Sequence, residues 1–258
     1  MSARHLKHIY GPVASWRLGS SLGIDLLSGR VKHCSFDCLY CQLGPNKRLT
    51  TKRKLYVPTK KIIAELKLLP GLKADYITFS GMGEPTLAKN LGQAIRAVKK
   101  IRPEPVAVLT NATLLGRKSV RNELLAADLV AVKLDADSQS MLESVNQPAE
   151  GISFSAILSG IRQFRKEYHG EMALQIMFVP ENQASAKNLA QLARQLDADC
   201  VQINTPRRAS AVKPLRRQQI LAVKKNFRGI RIVAIDQVRP KRARPLNKKD
   251  TQRRRRKI

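Results

Sequence analysis

Six short runs of β-branched and apolar residues, separated by stretches with a helical period, occupy the chain from residue 75 to residue 235. This alternation constrains the fold more than any other feature. Asp75–Ser80, Pro105–Thr110, Asp128–Leu134, Ala173–Val179, Cys200–Asn204 and Ile230–Ile235 read as strands. Leu87–Ile101 and Lys118–Ala127 read as helices, and Ile157, Ile161, Phe164 and Tyr168 stripe a third. Ser185 predicts an N-cap for a fourth, with Ala186, Leu189, Ala190 and Ala193 on one face, and Leu215–Asn226 predicts a fifth. An earlier strand near Leu22–Leu26 brings the strands to seven. Strands that alternate with helices pair in parallel, and right-handed crossovers leave an open doubly wound sheet or a full or partial barrel. Either solution collects ligands at the carboxyl ends of its strands. No linker interrupts the pattern, so residues 1–238 are expected to form one domain.

Charge adds a second constraint. The chain carries 48 Lys and Arg against 19 Asp and Glu, a formal charge of +29. The excess gathers at the end, where residues 207–258 hold 20 basic residues and only Asp236 and Asp250 as acids. Residues 239–258 show no strand or helix period and close on Arg253, Arg254, Arg255, Arg256 and Lys257. Like charges so dense bury nothing, which predicts a disordered basic tail. Such a tail binds polyphosphate through counterion release, or else only solubilises the protein. Aromatics are 5% of the chain and do not interleave with the basic residues, so no stacking platform for single strands is indicated. No apolar run nears the roughly 18–20 residues of a membrane span, and residues 1–10 lack the apolar block of a secretory signal. Four cysteines make no disulfide framework, so a cytoplasmic protein with reduced thiols is expected.

Three of those cysteines stand together in Cys34-Ser-Phe-Asp-Cys38-Leu-Tyr-Cys41, a Cys-x3-Cys-x2-Cys spacing. Thiolates are the soft ligands that iron–sulfur clusters and zinc select. Closed structural zinc sites and ferredoxin clusters take four ligands. Here the fourth cysteine, Cys200, lies far away in an apolar strand and reads as a core residue. Three thiolates on a four-iron cluster leave one iron open. The competing readings are a zinc site completed by His33 or a distant ligand, a redox pair of Cys38 and Cys41, and unrelated buried thiols.

The spacing, with Tyr40 before the last cysteine, resembles the radical S-adenosylmethionine superfamily. That resemblance implies a partial (β/α)6 TIM-type barrel of the α/β class, a [4Fe–4S] cluster on Cys34, Cys38 and Cys41, and S-adenosylmethionine chelated by the open iron. It further implies that the sulfonium is cleaved reductively to a 5′-deoxyadenosyl radical, which takes hydrogen from a substrate, and that a small donor such as flavodoxin or ferredoxin supplies the electron.

The run Ser80-Gly81-Met-Gly83-Glu84-Pro-Thr86 follows the first clear strand and resembles the family's Gly-Gly-Glu element, which implies that Gly81, Gly83 and Glu84 face the methionine end. Glycines let backbone approach a ligand, and a carboxylate can hold an ammonium. A dinucleotide fingerprint fails because Thr86 stands where its third glycine belongs, and a plain tight turn is the other alternative. Asn111 and Asp135 end two strands and are expected near the ribose, or as loop caps. Lys133 reads as a Schiff-base lysine if desolvated, otherwise as a solvated or ion-paired one.

The segments Tyr10–Asp25, Lys133–Ala136, Val145–Pro148 and Val201–Pro206 follow in the order of the group related to tRNA wyosine-base synthases. The likeness covers about residues 9–210 and implies an RNA substrate, with tRNA base modification as the expected reaction. Two departures stand out. No cysteine precedes Cys34, so the second cluster and its pyruvate condensation are not assigned. Arg207-Arg208-Ala209 stands where relatives show Arg-Pro-Pro. The alternatives are an activating enzyme that installs a glycyl radical on a partner protein, and a non-enzymatic zinc- or nucleic-acid-binding module.

Overall fold

A computed structural model describes residues 6–29, 31–46, 48–237 and 243–254. Its eight strands pair in chain order as one sheet. These are β1 (Ile9–Ser15), β2 (Gly19–Ile24), β3 (Tyr76–Phe79), β4 (Val106–Thr110), β5 (Leu129–Lys133), β6 (Glu171–Met177), β7 (Cys200–Asn204) and β8 (Ile232–Ala234). From β2 to β8 every pairing is parallel. Strand β1 pairs antiparallel with β2 through a bulge between Tyr10 and Val13. The sequence reading expected seven strands and did not anticipate β1, because Gly11, Pro12 and the short loop to β2 blur its alternation.

The helices are α1 (Thr59–Lys67), α2 (Leu91–Lys99), α3 (Lys118–Leu124), α4 (Gln139–Asn146), α5 (Phe154–Glu167), α6 (Ala186–Gln195), α7 (Arg217–Lys225) and α8 (Lys248–Arg254). Helices α1 and α4 were not predicted. The expected cap by Ser185 is absent: its side chain makes no capping bond, because a 3-10 turn over Pro180–Ser185 leads directly into α6.

Period-2 alternation divides each strand between two cores. In β5, Val130 and Val132 pack outward among Ile95, Val120 and Phe164 in the main core. Leu129 and Ala131 face the other way and join Ala107, Ala173, Cys200 and Leu18 in a smaller apolar layer inside the curled sheet. Cys200 is thus a buried core residue of this inner floor, as expected. Above the floor the inward positions turn polar, which makes the inside of the half-barrel a site with an apolar base.

The tail read as disordered over residues 239–258 is corrected where it is described. Helix α8 packs on β1. Leu246 N donates to Gly11 O at 2.5 Å, and Gly11 N donates to Thr251 Oγ1 at 3.2 Å. Arg254 is among the largest fully buried side chains. Its Nε donates to Asp25 Oδ2 at 2.7 Å, its Nη2 to Lys7 O at 2.6 Å, and its guanidinium lies 5.1 Å from the Tyr10 ring centroid. One buried acid partner therefore orders a segment whose composition suggests repulsion alone. The rest of the tail lies outside the described residues.

Candidate functional site

The cysteine loop is sewn down on both sides, to the turn after β3 and to the end of α4. On one side His33 N donates to Met82 O at 3.0 Å and Glu84 N to His33 O at 2.9 Å, forming a parallel bridge between His33 and Gly83. On the other, Asp37 N donates to Asn146 O and Leu39 N to Val145 O, each at 3.0 Å, which ties the loop to the end of α4. Gly83 has φ +147°, and a Cβ there would overlap the His33 carbonyl oxygen. Only glycine lets the two backbones approach this closely. Gly81 has φ +142°, and its missing Cβ leaves room for the Asp25 carboxylate.

The cysteine sulfurs lie beside amide donors. Asn111 Nδ2 is 3.6 Å from Cys34 Sγ, and Asn146 Nδ2 is 3.4 Å from Cys38 Sγ. Lys32, buried and paired with Asp37 at 3.0 Å, adds a positive charge near Cys41 and Cys34. Burial pushes the Cys38 thiol up to about 11 against the opposing pull of Lys133. Burial, together with Cys38 and Glu84, pushes Cys34 up as well. Such thiols ionise when a metal centre supplies compensating positive charge. Among the described residues no three His, Cys, Asp or Glu side chains are arranged around a single ion. Three half-buried thiols in one loop, with N–H donors to two of their sulfurs, fit a polynuclear iron–sulfur centre better than zinc. Cys200 lies on the inner floor, its Sγ 3.7 Å from Glu171 Oε1, and is no fourth ligand.

The remaining expected residues are brought together, with duties the sequence left open. Glu84 is 2% exposed. Its Oε1 accepts from Thr86 N at 3.0 Å and from Thr86 and Thr110 Oγ1 at 2.7 Å each; its Oε2 accepts from Asn111 N at 2.6 Å. Burial raises its carboxyl, and these donors work against that rise. Glu84 thus clamps the glycine turn to the end of β4 and aims Asn111 at Cys34.

Asp135 is also buried. Tyr40 Oη donates to its Oδ2, Asn146 Nδ2 donates there at 2.8 Å, and Met177 N donates to Oδ1 at 2.7 Å. Lys133 Nζ stands 3.6 Å from the same carboxylate and 5.0 Å from the Tyr40 ring centroid. Of the two readings of Lys133, the structure shows the ion-paired one. Asn146 is the residue sequence reasoning missed: it joins Cys38, Tyr40 and Asp135, and its only sequence signal was its place in Val145–Pro148.

Below this network lies a polar row. Register sets Lys133 opposite Gln175, and Gln175 opposite Gln202. Lys133 Nζ donates to Gln175 Oε1 at 2.7 Å, and Arg17 Nη1 donates to Gln202 Oε1 at 3.4 Å. Gln175 Nε2 is buried with no hydrogen-bond partner among the described residues. An orphaned buried donor is costly, on the order of 1–3 kcal/mol, and an acceptor atom from a ligand relieves it.

Comparison with known proteins agrees with this geometry. Residues 30–193 match the radical SAM superfamily. The UPF0026 protein slr1464 of Synechocystis is 44% identical over 211 residues, covering 81% of this chain and 78% of that one. The UPF0026 protein MJ1312 of Methanocaldococcus jannaschii is 33% identical, covering 84% and 68%. In fold, the chain is similar to Streptococcus suis SuiB bound to S-adenosylmethionine, with a TM-score of 0.62 at 14% identity over 79% of this chain. It spans about half the length of that protein (48%). No described helix is long and apolar enough to cross a membrane.

Proposed function

This chain belongs to the radical SAM superfamily and is a radical SAM enzyme, and from that premise we propose that it modifies a base in RNA, with tRNA as the favoured substrate. Cys34, Cys38 and Cys41 would hold a [4Fe–4S] cluster. When bound, cluster and S-adenosylmethionine together supply the electron and the hydrogen-abstracting radical. The chain's own residues hold and shield that chemistry. Asn111 and Asn146 donate toward two of the cysteine sulfurs. Glu84 fixes Asn111 and the turn through Gly81 and Gly83, which would bring backbone against the methionine end of S-adenosylmethionine. Asp135 acts through Tyr40 and Asn146, setting one wall beside the ribose. The row of Lys133, Gln175 and Gln202 lies under this wall and offers donors to a substrate's oxygen or ring-nitrogen acceptors.

The observation that carries the reading is the three-cysteine loop pinned at the carboxyl ends of the strands, with its sulfurs facing amide donors. The charge of +29 supports a polyanionic substrate. A base would have to leave its stack to reach the half-barrel. A small cytoplasmic reductase such as a flavodoxin or ferredoxin is the proposed electron donor.

The experiment is anaerobic reconstitution, followed by incubation with S-adenosylmethionine, a reductant and bulk tRNA, then nucleoside mass spectrometry. Four irons per chain, 5′-deoxyadenosine and a new nucleoside are expected. A colourless zinc protein defeats the iron–sulfur assignment. Cleavage with no nucleoside change defeats the RNA assignment.

A further inference from the structure

Directly after the cysteine loop the chain turns strongly basic, with Arg48, Lys52, Arg53 and Lys54 in seven residues. This segment is fastened to the site. Thr50 N donates to Cys34 O at 3.0 Å, and Lys54 bridges in parallel to Ala88, just past the 3-10 turn Pro85–Leu87. Beside it opens a cleft of about 660 Å³ lined by Thr51, Lys52, Arg53, Lys89 and Arg117. Four of these five residues are cations, and none is an acid.

The four cations are not equivalent. Arg53 is built into the wall, donating to Glu123 at 3.0 and 2.5 Å and to the carbonyls of Thr86 and Ala88 at 2.7 and 2.8 Å. Lys52, Lys89 and Arg117 are exposed, and none forms an ion pair among the described residues. They come from three separate elements: the segment after the cysteines, the loop before α2, and the start of α3. Like charges brought together from distant parts of a chain repel unless an anion joins them. The Arg53–Glu123 brace keeps the wall that carries them in place.

We propose that Lys52, Lys89 and Arg117, framed by Arg53, form a docking cleft for the phosphodiester backbone of the substrate RNA. The proposal rests on RNA being the substrate. It places the grip on the folded domain, next to the backbone of Cys34, so that a held strand presents a nucleotide at the open end of the half-barrel. Phosphate contacts of this kind position a strand without reading its sequence.

The test compares the reconstituted full-length protein with the K52E/K89E/R117E and K52Q/K89Q/R117Q variants, using bulk tRNA as probe and titrating KCl. The wild type should bind tRNA with steep salt dependence. Three lost phosphate contacts, at roughly 0.7–0.9 each, should flatten the log Kd against log salt slope by about 2–3 in the neutral variant, and by at least as much in the charge-reversed one. Binding at physiological salt should weaken by about tenfold or more, while iron content and S-adenosylmethionine cleavage without RNA stay at wild-type values. If the wild type shows no salt-dependent tRNA binding, the RNA reading itself fails. If it binds and the charge-reversed variant matches it in affinity and slope, the cleft is refuted while the RNA reading stands. Binding to anionic vesicles instead of tRNA, lost in the same variant, would assign the cleft to a membrane surface and overturn the proposal.

Discussion

Replacing Arg254 by Met leaves the Asp25 carboxylate buried without its counter-charge. Both side chains are essentially inaccessible, at 0% and 1% exposure, and their N–O distance is 2.7 Å. Removing one partner of a buried pair costs about 3–5 kcal/mol, because the survivor can neither pair nor hydrate. The bond from Nη2 to Lys7 O and the stacking on Tyr10 are lost as well. For a chain of this size each kcal/mol lowers Tm by about 2–4 °C, so a fall of about 6–20 °C is expected by circular dichroism at pH 7.5.

The loss should also depend on pH. Burial raises Asp25, while Arg254 opposes the rise through charge and hydrogen bonding. Without Arg254 the raising effect of burial is opposed only by the backbone donors of Met82 and Leu27. Folded Asp25 then binds a proton over a range where the unfolded residue does not, so stability falls as pH climbs from its unfolded value, near 4, through the raised one. Acidification toward pH 5 should therefore narrow the gap to wild type. The double variant D25N/R254M, which has no orphaned charge, should recover much of the loss. A Met variant within 1 kcal/mol of wild type, or a double variant no better than the single one, would refute this account of the pair.

Four further outcomes follow from the geometry. Cys38→Ala should abolish cluster loading and reductive cleavage of S-adenosylmethionine, read as iron content and 5′-deoxyadenosine. Asn146→Ala removes a donor 3.4 Å from Cys38 Sγ and one at 2.8 Å to Asp135; it should make the cluster potential more negative in an EPR-monitored titration and cost about 1–3 kcal/mol of stability. Gly83→Ala forces a Cβ onto the His33 carbonyl, so it should cost about 1–3 kcal/mol and lower iron loading while the far side of the half-barrel keeps its amide-exchange protection. Deleting residues 243–258 should lower Tm about as much as Arg254→Met, because the segment includes Arg254 and the docking of α8 on β1; an unchanged Tm would return the segment to the role of a loose appendage.

Much of the fold was legible because each buried strand is a compact apolar run set off by turn residues. Cys200–Asn204 emerged with the same ends in sequence and structure. Strand β1 was not legible, since its antiparallel pairing depends on β2 and its bulge interrupts the period-2 pattern. The cysteines were legible from spacing alone, and the glycine turn from its context. The duties of Glu84 and Asp135 were not: whether a carboxylate faces a ligand or clamps its own backbone depends on which donors the fold brings within 3 Å. Asn146 is invisible to local reading for the same reason, as its partners Tyr40 and Cys38 lie 106 and 108 positions away. Arg254 shows the limit most clearly, since composition makes it one charge in a repelling run and its position is set by a single acid just past β2, with the Lys7 carbonyl and the Tyr10 ring beside it.

The distance between those two residues has a consequence for biosynthesis. Asp25 and Arg254 are 229 positions apart, and Gln42, one residue past the last clustered cysteine, donates to the Arg254 carbonyl at 3.0 Å. Domains emerge from the ribosome amino end first, so the thiols of this protein leave the tunnel long before the helix that braces them. A chain that ends before residue 254 leaves Asp25 without its counter-charge and Gln42 without its carbonyl partner.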